Sequence, residues 1–425
     1  MLSSRKDWPC SSRASETSHD ATARRTRMKP RIVILGGAGA MGRIIALDLL
    51  RTSRNRLQVV IADRDVSAAR GLPVETAQVD VTDPKSLRSA LDGAYATIAS
   101  LPYRYNLEAM HGALEAGAHY IDLGGLFHVT RRQLELAPLF ARRGVMAILG
   151  MGSAPGIVNV LALLASRGLD RVHEIHVLVG GIDETRFRHA PPLGFGYSAD
   201  TLLDEFTMPS AIFRAGKFKM VPPLDPGEHI AVRFPAPVGT VGVDTTLHSE
   251  VATLPLSFRH RGIREVTFRQ GFDKDFKDKM KFLVQVGLTD TAALPCSNGS
   301  AIVPRDVLLA LVKRQAPPLP MGKAVRYEVL RTVVGGTIGR RHVTVIADCH
   351  AGSNAGNGIG PDINTGAPPS IAVQLMARGD IPIRPGVWAP EQVMPVAPFV
   401  RELRRRDMAV TCRERKTLDR LSEIA

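Results

Sequence analysis

A chain of 425 residues is longer than one ordinary core organises, and at roughly 150 residues per domain it points to two or three domains. With 44% hydrophobic and 23% charged residues it reads as globular, which excludes an intrinsically disordered chain, and no apolar run approaches the roughly 20 residues that cross a bilayer. The net charge of +14 is not a nucleic-acid footprint, because Arg and Lys are interspersed with Asp and Glu and aromatics make up only 5%.

The first 29 residues carry seven Lys or Arg against three acids and no hydrophobic periodicity. They are expected to form a disordered basic tail; Asp7, Glu16 and Asp20 argue against an acid-poor presequence, and Met28 offers a working first residue. From Arg31 onward, short β-branched runs alternate with helical patterns, which is how a parallel sheet with crossover helices reads. The expected strands are Arg31–Leu35, Gln58–Ala62, Glu75–Gln78, Ala96–Ser100, His119–Asp122 and Val145–Leu149, with helices at Met41–Leu50, Pro84–Leu91, Leu107–Gly117 and Thr130–Arg142. Right-handed crossovers make of these a doubly wound Rossmann sheet.

Beyond Gly156 the texture changes to long alternating runs, Glu174–Val179, Arg264–Phe268, Val325–Val334 and His342–Ala347. They predict a second α+β domain with a mainly antiparallel sheet, its helices at Ala199–Phe206, Lys274–Val286 and Pro304–Arg314. Ala351–Pro369, rich in Gly, Asn and Pro, reads as a long loop, and Ile371–Arg378 and Pro398–Arg406 as closing helices. The four cysteines are far apart and lack C-x-x-C spacing, so neither a metal site nor a disulfide framework is expected, and a reducing cytoplasm fits.

Chemistry enters at Gly37-Ala38-Gly39-Ala40-Met41-Gly42, which satisfies G-x-G-x-x-G directly after an apolar strand and at the start of a helix. Glycines there let backbone N–H groups approach a pyrophosphate at the positive helix end. Asp63, 21 residues beyond Gly42, ends the second strand where a carboxylate accepts from the adenosine ribose and repels a 2′-phosphate. NAD is therefore expected over NADP, although the neighbouring Arg64 could pair with that phosphate. Asp80 and Val81 follow the third strand at the adenine edge, and Ser100, Leu101 and Pro102 follow the fourth near the nicotinamide ribose. The Gly36-x-x-Gly39-x-x-Gly42 spacing also fits short-chain dehydrogenases, but no tyrosine has a lysine four residues later.

Taken together, Gly36–Gly42, Asp80–Asp83, Ser100–Tyr103, Glu115–Gly125 and Gly150–Asn159 resemble the saccharopine dehydrogenase-like amino-acid dehydrogenases. Thr246–Glu250, Ala252–Pro255 and Thr365–Ile371 are similar to the lysine 6-dehydrogenase branch, while the Gly/Asn-rich insert Gly352–Pro361 and Phe206 depart from it. The resemblance implies NAD(P)-linked oxidation of a CH–NH or CH–NH2 group in an amino acid or diamine. It also implies a chain that returns after Thr365, giving a first domain of residues 30–153 plus 365–425, and a second domain of residues 154–364 that builds a homodimer. Other readings are a reductive, imine-forming opine or carboxynorspermidine type and a catalytically silent dinucleotide sensor.

Amine oxidation needs a hydride acceptor, a group that takes the N–H proton, and an anchor for the substrate. Asp122, ending the fifth strand before Gly124-Gly125, is the expected base or ammonium anchor, with Tyr103 beyond the Leu-Pro turn as a substrate partner. Gly125, Pro155 and Asn159 are expected to touch substrate, the last two around the start of an apolar helix. His248 and Glu250, two apart in an expected strand, would share one face as an acid/base pair.

Overall fold

The computed structural model describes residues 29–297 and 299–415. The tail expected over residues 1–29 thus lies, except for Lys29, outside the described residues.

The first domain begins with β1 (Arg31–Leu35), α1 (Ala40–Thr52), β2 (Gln58–Asp63) and β3 (Glu75–Gln78). It continues through α2 (Pro84–Leu91), β4 (Ala96–Ala99), α3 (Asn106–Ala116), β5 (His119–Asp122), α4 (Phe127–Leu134), α5 (Ala137–Arg143) and β6 (Met146–Ile148). All pairs are parallel, in the order β3-β2-β1-β4-β5-β6, and Gly386–Trp388 adds a seventh strand beside β6. Ile32–Leu35 are fully buried because crossover helices cover both faces of the sheet, which is why β1 is apolar throughout instead of alternating. Reversal of strand order at β1/β4 opens the crevice in which such sheets bind ligands.

After α6 (Ile157–Ala165), β7 (Arg171–Asp183) starts the second domain, and α7 (Ala199–Thr207) leads into its helical lobe. Among the described residues the second sheet has nine strands, and β7 lies at its centre. It pairs antiparallel with Arg326–Ile338 and parallel with Glu265–Gly271; the other pairings of the sheet are antiparallel. The helix Lys274–Gln285, the helix Pro304–Lys313 and α7 form the lobe around Leu203, Phe206 and Met280.

Three expectations need correction. Thr130–Arg142 is two helices, α4 and α5, because Pro138 in the first turn of α5 cannot continue a helix from α4. Ala351–Pro369 is not one long loop: the helix Ile363–Arg378 runs through Pro368 and Pro369. Burial against α1 outweighs the two missing N–H groups, and Gly366 permits the approach, since a Cβ there would lie 2.9 Å from Ile44 Cβ. Nor does the whole C-terminal return belong to the first domain, since Ala409–Arg415 pairs with Arg341–Ala351 in the second sheet. The return is fastened where Arg406 gives two hydrogen bonds to Asp48, at 2.8 and 2.7 Å, and Ser370 a third at 2.6 Å.

Candidate active site

Two hydrogen bonds from the amides of Gly36 and Gly37 to Ala62 O, at 2.8 and 3.2 Å, hold the glycine turn against the end of β2. Gly36 has φ +72°, and a Cβ on it would strike the Ser100 carbonyl; one on Gly42 would strike the Gly36 carbonyl. Both positions therefore require glycine. Gly39 caps α1 without a side chain, so the first-turn amides, including those of Ala40 and Met41, stay open to an anion. Asp63 Oδ2 accepts from Ala38 N at 3.1 Å, so the carboxylate expected to meet the adenosine ribose also shapes the glycine turn. Leu101 packs against Gly36, and Pro102 opens the short turn that carries Tyr103. These residues fit a dinucleotide pyrophosphate.

At the adenine edge, Asp80 accepts from the Thr82 hydroxyl (2.6 Å) and amide (2.9 Å), which hold its carboxyl below the ordinary value, while Val81 is buried. An open pocket beyond β2 is lined by Arg64, Ser67, Arg70 and Gln78. Among the described residues neither guanidinium is hydrogen-bonded or salt-bridged. Arg70 was not anticipated.

Asp122 is fully buried. It accepts from Gly150 N (2.6 Å), Gln133 Nε2 (2.6 Å), Gly124 N (3.0 Å) and Asn106 Nδ2 (3.5 Å). Four donors leave no capacity for a substrate, so this carboxylate ties the ends of β5 and β6 together and does not stand in the crevice as expected. Asn159 is likewise interior: its Oδ1 accepts from Gly156 N at 2.9 Å and its Nδ2 donates to Glu391 at 2.8 Å. Pro155 packs on Gly124 and Gly150, and the Gly125 carbonyl accepts from the hydroxyls of Thr130 and Ser249.

That Ser249 contact lays the second-domain segment 246–250 on the turn after β5. His248 and Glu250 do not alternate in a strand as expected; His248 is in a loop and Glu250 opens the helix Glu250–Ser257. The pair is nevertheless formed, His248 Nδ1 lying 2.5 Å from Glu250 Oε2, with the ring stacked on Phe268. Nε2 has no protein partner among the described residues. Burial opposes the imidazolium, but Glu250 and, more distantly, Glu205 outweigh it and hold His248 above its ordinary pKa.

Tyr103 donates to Asp204 Oδ2 at 2.6 Å, while Arg305 holds the other oxygen at 2.6 Å. Burial first, then the Asp204 bond, push the phenol well above its ordinary pKa. One residue on, Glu205 accepts from Tyr197 Oη (2.6 Å) and Gln270 Nε2 (3.0 Å), and burial lifts its pKa to about 7. Sequence reasoning missed Glu205; its signal was an acid on the stripe Leu202, Glu205, Phe206 that α7 buries. Glu328, bonded by Asn364 and lifted by burial to about 7, is near enough to raise the Tyr197 pKa further.

A crossover-wound sheet with an open glycine turn, facing a second domain that brings a His–Glu pair to its strand ends, defines a dinucleotide-dependent oxidoreductase. The model of the saccharopine dehydrogenase NADP binding domain matches residues 32–148, and that of the saccharopine dehydrogenase C-terminal domain residues 152–408. The chain belongs to the saccharopine dehydrogenase family. It is 24% identical to carboxyaminopropylagmatine dehydrogenase of Synechocystis sp. over 305 residues, 67% of this chain and 73% of that one. To carboxynorspermidine synthase of Vibrio cholerae it is 23% identical over 325 residues, 70% and 75% of the two chains. The apo structure of saccharopine dehydrogenase (L-Glu forming) from Saccharomyces cerevisiae shares the fold, with TM-score 0.66 and 16% identity over 91% of this chain and 99% of that one. Among the described residues no helix is long and apolar enough to cross a membrane.

Proposed function

We propose that the protein oxidises a carbon–nitrogen bond of an amino acid or amine, with His248 and Glu250 handling the proton. When bound at Gly36–Gly42, the dinucleotide supplies the hydride acceptor. Glu250 fixes the imidazole through Nδ1, so Nε2 is the atom that takes the proton from the substrate nitrogen. Glu205 and Glu328, which no Lys or Arg pairs with among the described residues, are the acids suited to a cationic nitrogen, and Tyr103, held by the Arg305-paired Asp204, borders them. The observation that carries the reading is the His248–Glu250 pair fixed by Ser249 to the turn after β5. The same groups serve the reverse reaction, reduction of an imine formed from an aldehyde and an amine, and the names of the two relatives above favour testing both directions.

Of the two dinucleotides we favour NADP. Asp63 is engaged with Ala38, whereas Arg64 and Arg70 line an open pocket without a salt bridge among the described residues, Asp65 and Asp80 acting on them only at longer range. A homodimer through the helical lobe is part of the proposal, since Phe282 (61% exposed) and Leu311 (55%) are large apolar side chains exposed on its helices; light scattering would test it. Free Cys296, Cys349 and Cys412 suit a reducing cytoplasm. The test of function is NAD(P)H absorbance with an amine panel for the parent and His248→Gln. Loss of turnover by about a hundredfold or more with dinucleotide binding intact is expected, and turnover within about threefold of the parent overturns the assignment.

A further inference from the structure

The hydroxyl of Tyr103, expected to meet the substrate, is already given to Asp204. Its ring stands edge-on to the imidazole of His128, with centroids 5.7 Å apart and planes at 87°. His128 is the second residue of α4, and Tyr103 lies in the turn after β4. Because β4 and β5 are neighbours, the two rings stand together at the carboxyl ends of strands beside the point where strand order reverses. That is the crevice in which such sheets bind ligands. At Gly125, just ahead of α4, the carbonyl accepts from Ser249, the residue after His248. The turn after β5 therefore joins the helix that carries His128 to the second-domain segment that carries His248.

Among the described residues neither ring nitrogen of His128 has a protein partner, and the two differ in setting: Nδ1 is buried and Nε2 is not. Orphaned buried N–H groups are rarer than bare acceptors, so the proton belongs on Nε2 and Nδ1 keeps its lone pair. The groups that face the ring are Tyr103, Asp204 and Arg132. Burial is the largest influence and, with Arg132, outweighs Asp204, holding the imidazole below its ordinary pKa. At neutral pH His128 is thus an uncharged ring that offers one N–H outward. Arg131 and Arg132, three and four residues on, share its side of α4. Neither pairs with a carboxylate among the described residues, and Arg131 rests on the ring of Phe218 in the second sheet, 5.0–5.5 Å being the usual range and 5.3 Å the distance here. A fixed donor beside two unpaired guanidiniums matches the acceptor oxygens of a carboxylate.

We propose that His128 is a specificity-determining residue that donates from Nε2 to a carboxylate of the substrate, and so selects amino acids over plain amines. This rests on the reading of His248 given above: His248 handles the nitrogen, and His128 holds the acid group of the same molecule. Tyr103 positions the imidazole, while Asp204, itself paired with Arg305, positions Tyr103. The hydroxyl of Tyr103 is thereby spent on holding the second domain, and the donor that meets the substrate is the ring beside it.

His128→Phe and His128→Gln in the full chain test this. Phe keeps a ring against Tyr103 but has no donor; Gln loses the ring but keeps an N–H near the place of Nε2. The substrate pairs are lysine against cadaverine and ornithine against putrescine, which differ only by the carboxylate. His128→Phe should raise KM for the amino acid about tenfold or more, with kcat within about threefold. KM for the diamine and dinucleotide affinity should both stay within about twofold. His128→Gln should recover most of the loss. Nitrogen NMR of the labelled imidazole should place its proton on Nε2 at neutral pH, and lysine or ornithine added to the dinucleotide complex should move that N–H signal where the diamines do not. That readout stands even where turnover does not. A proton on Nδ1, or an Nε2–H signal that neither amino acid moves, overturns the role of His128. So does a His128→Phe variant that matches the parent while His128→Gln fails, which would make ring packing its purpose. Weakened dinucleotide binding with equal losses for amino acid and diamine overturns it as well, assigning the donor to the nicotinamide carboxamide. Retention of turnover by His248→Gln overturns the underlying reading instead.

Discussion

Replacing Asp122 by Asn should cost stability and leave the chemistry largely intact. The carboxylate accepts from Gly150 N, Gly124 N, Gln133 Nε2 and Asn106 Nδ2 in a fully buried setting. Gly150 and Gly124 both bond Oδ1, while Gln133 and Asn106 meet Oδ2. Asn retains one acceptor oxygen, and its NH2 must face donors on the other side. At about 1.5–3 kcal/mol for each hydrogen bond to a charged group, two lost bonds come to roughly 3–6 kcal/mol. Burial already raises the Asp122 pKa, so the charged form is penalised and part of that loss is offset, leaving about 3 kcal/mol. For a domain of this size that lowers Tm by about 6–12 °C, readable by calorimetry with dinucleotide absent. Turnover per folded molecule should stay within about tenfold of the parent. A fall of about 10²–10⁴-fold with Tm unchanged would refute the structural assignment and return Asp122 to the chemistry.

Arg70→Ala should weaken NADP about tenfold or more by isothermal titration while leaving NAD nearly unchanged; equal loss of both would mean the pocket does not meet the 2′-phosphate. Arg406→Met strands Asp48 in the interior, so unfolding free energy should drop by about 3–5 kcal/mol, and a change below about 1 kcal/mol would contradict the clamp. Glu205 has a folded pKa of about 7 against an ordinary 4.5, so its contribution is fully present below pH 4.5 and is lost as pH rises through 7. Glu205→Gln should accordingly gain on the parent by on the order of 3 kcal/mol between pH 5 and 8 in denaturant titrations. Glu328, lifted the same way, is common to both proteins and cancels. A pH-independent difference between the two would speak against the buried, lifted carboxyl.

The strands of the first domain were legible because a parallel sheet covered on both faces needs continuous apolar runs, and β1 and the helix Pro84–Leu91 begin and end as expected. The glycine turn was legible for a similar reason: its spacing encodes close approaches to Ser100 and Gly36 that only glycine tolerates. Pro368-Pro369 misled because the helix they interrupt is held by burial against α1, a tertiary effect that local propensity does not carry. Asp122 was correctly located at a strand end, yet its donors come from Gln133 and Gly150, which the linear sequence does not place beside it. His248 and Glu250 were paired for the wrong local reason, through strand alternation instead of a loop meeting a helix start. Glu205 becomes visible only when Tyr197, Gln270 and α7 are brought together.

The most direct test of the account is steady-state absorbance at 340 nm with both dinucleotides. It should be run against lysine, saccharopine, ornithine and polyamines as donors, and against aldehyde–amine mixtures in reverse, for the parent and His248→Gln. The account predicts turnover with at least one nitrogen substrate, and a loss of about a hundredfold or more in the variant with unchanged dinucleotide affinity. Tight dinucleotide binding with no turnover in either direction, or a His248→Gln variant as active as the parent, would contradict it.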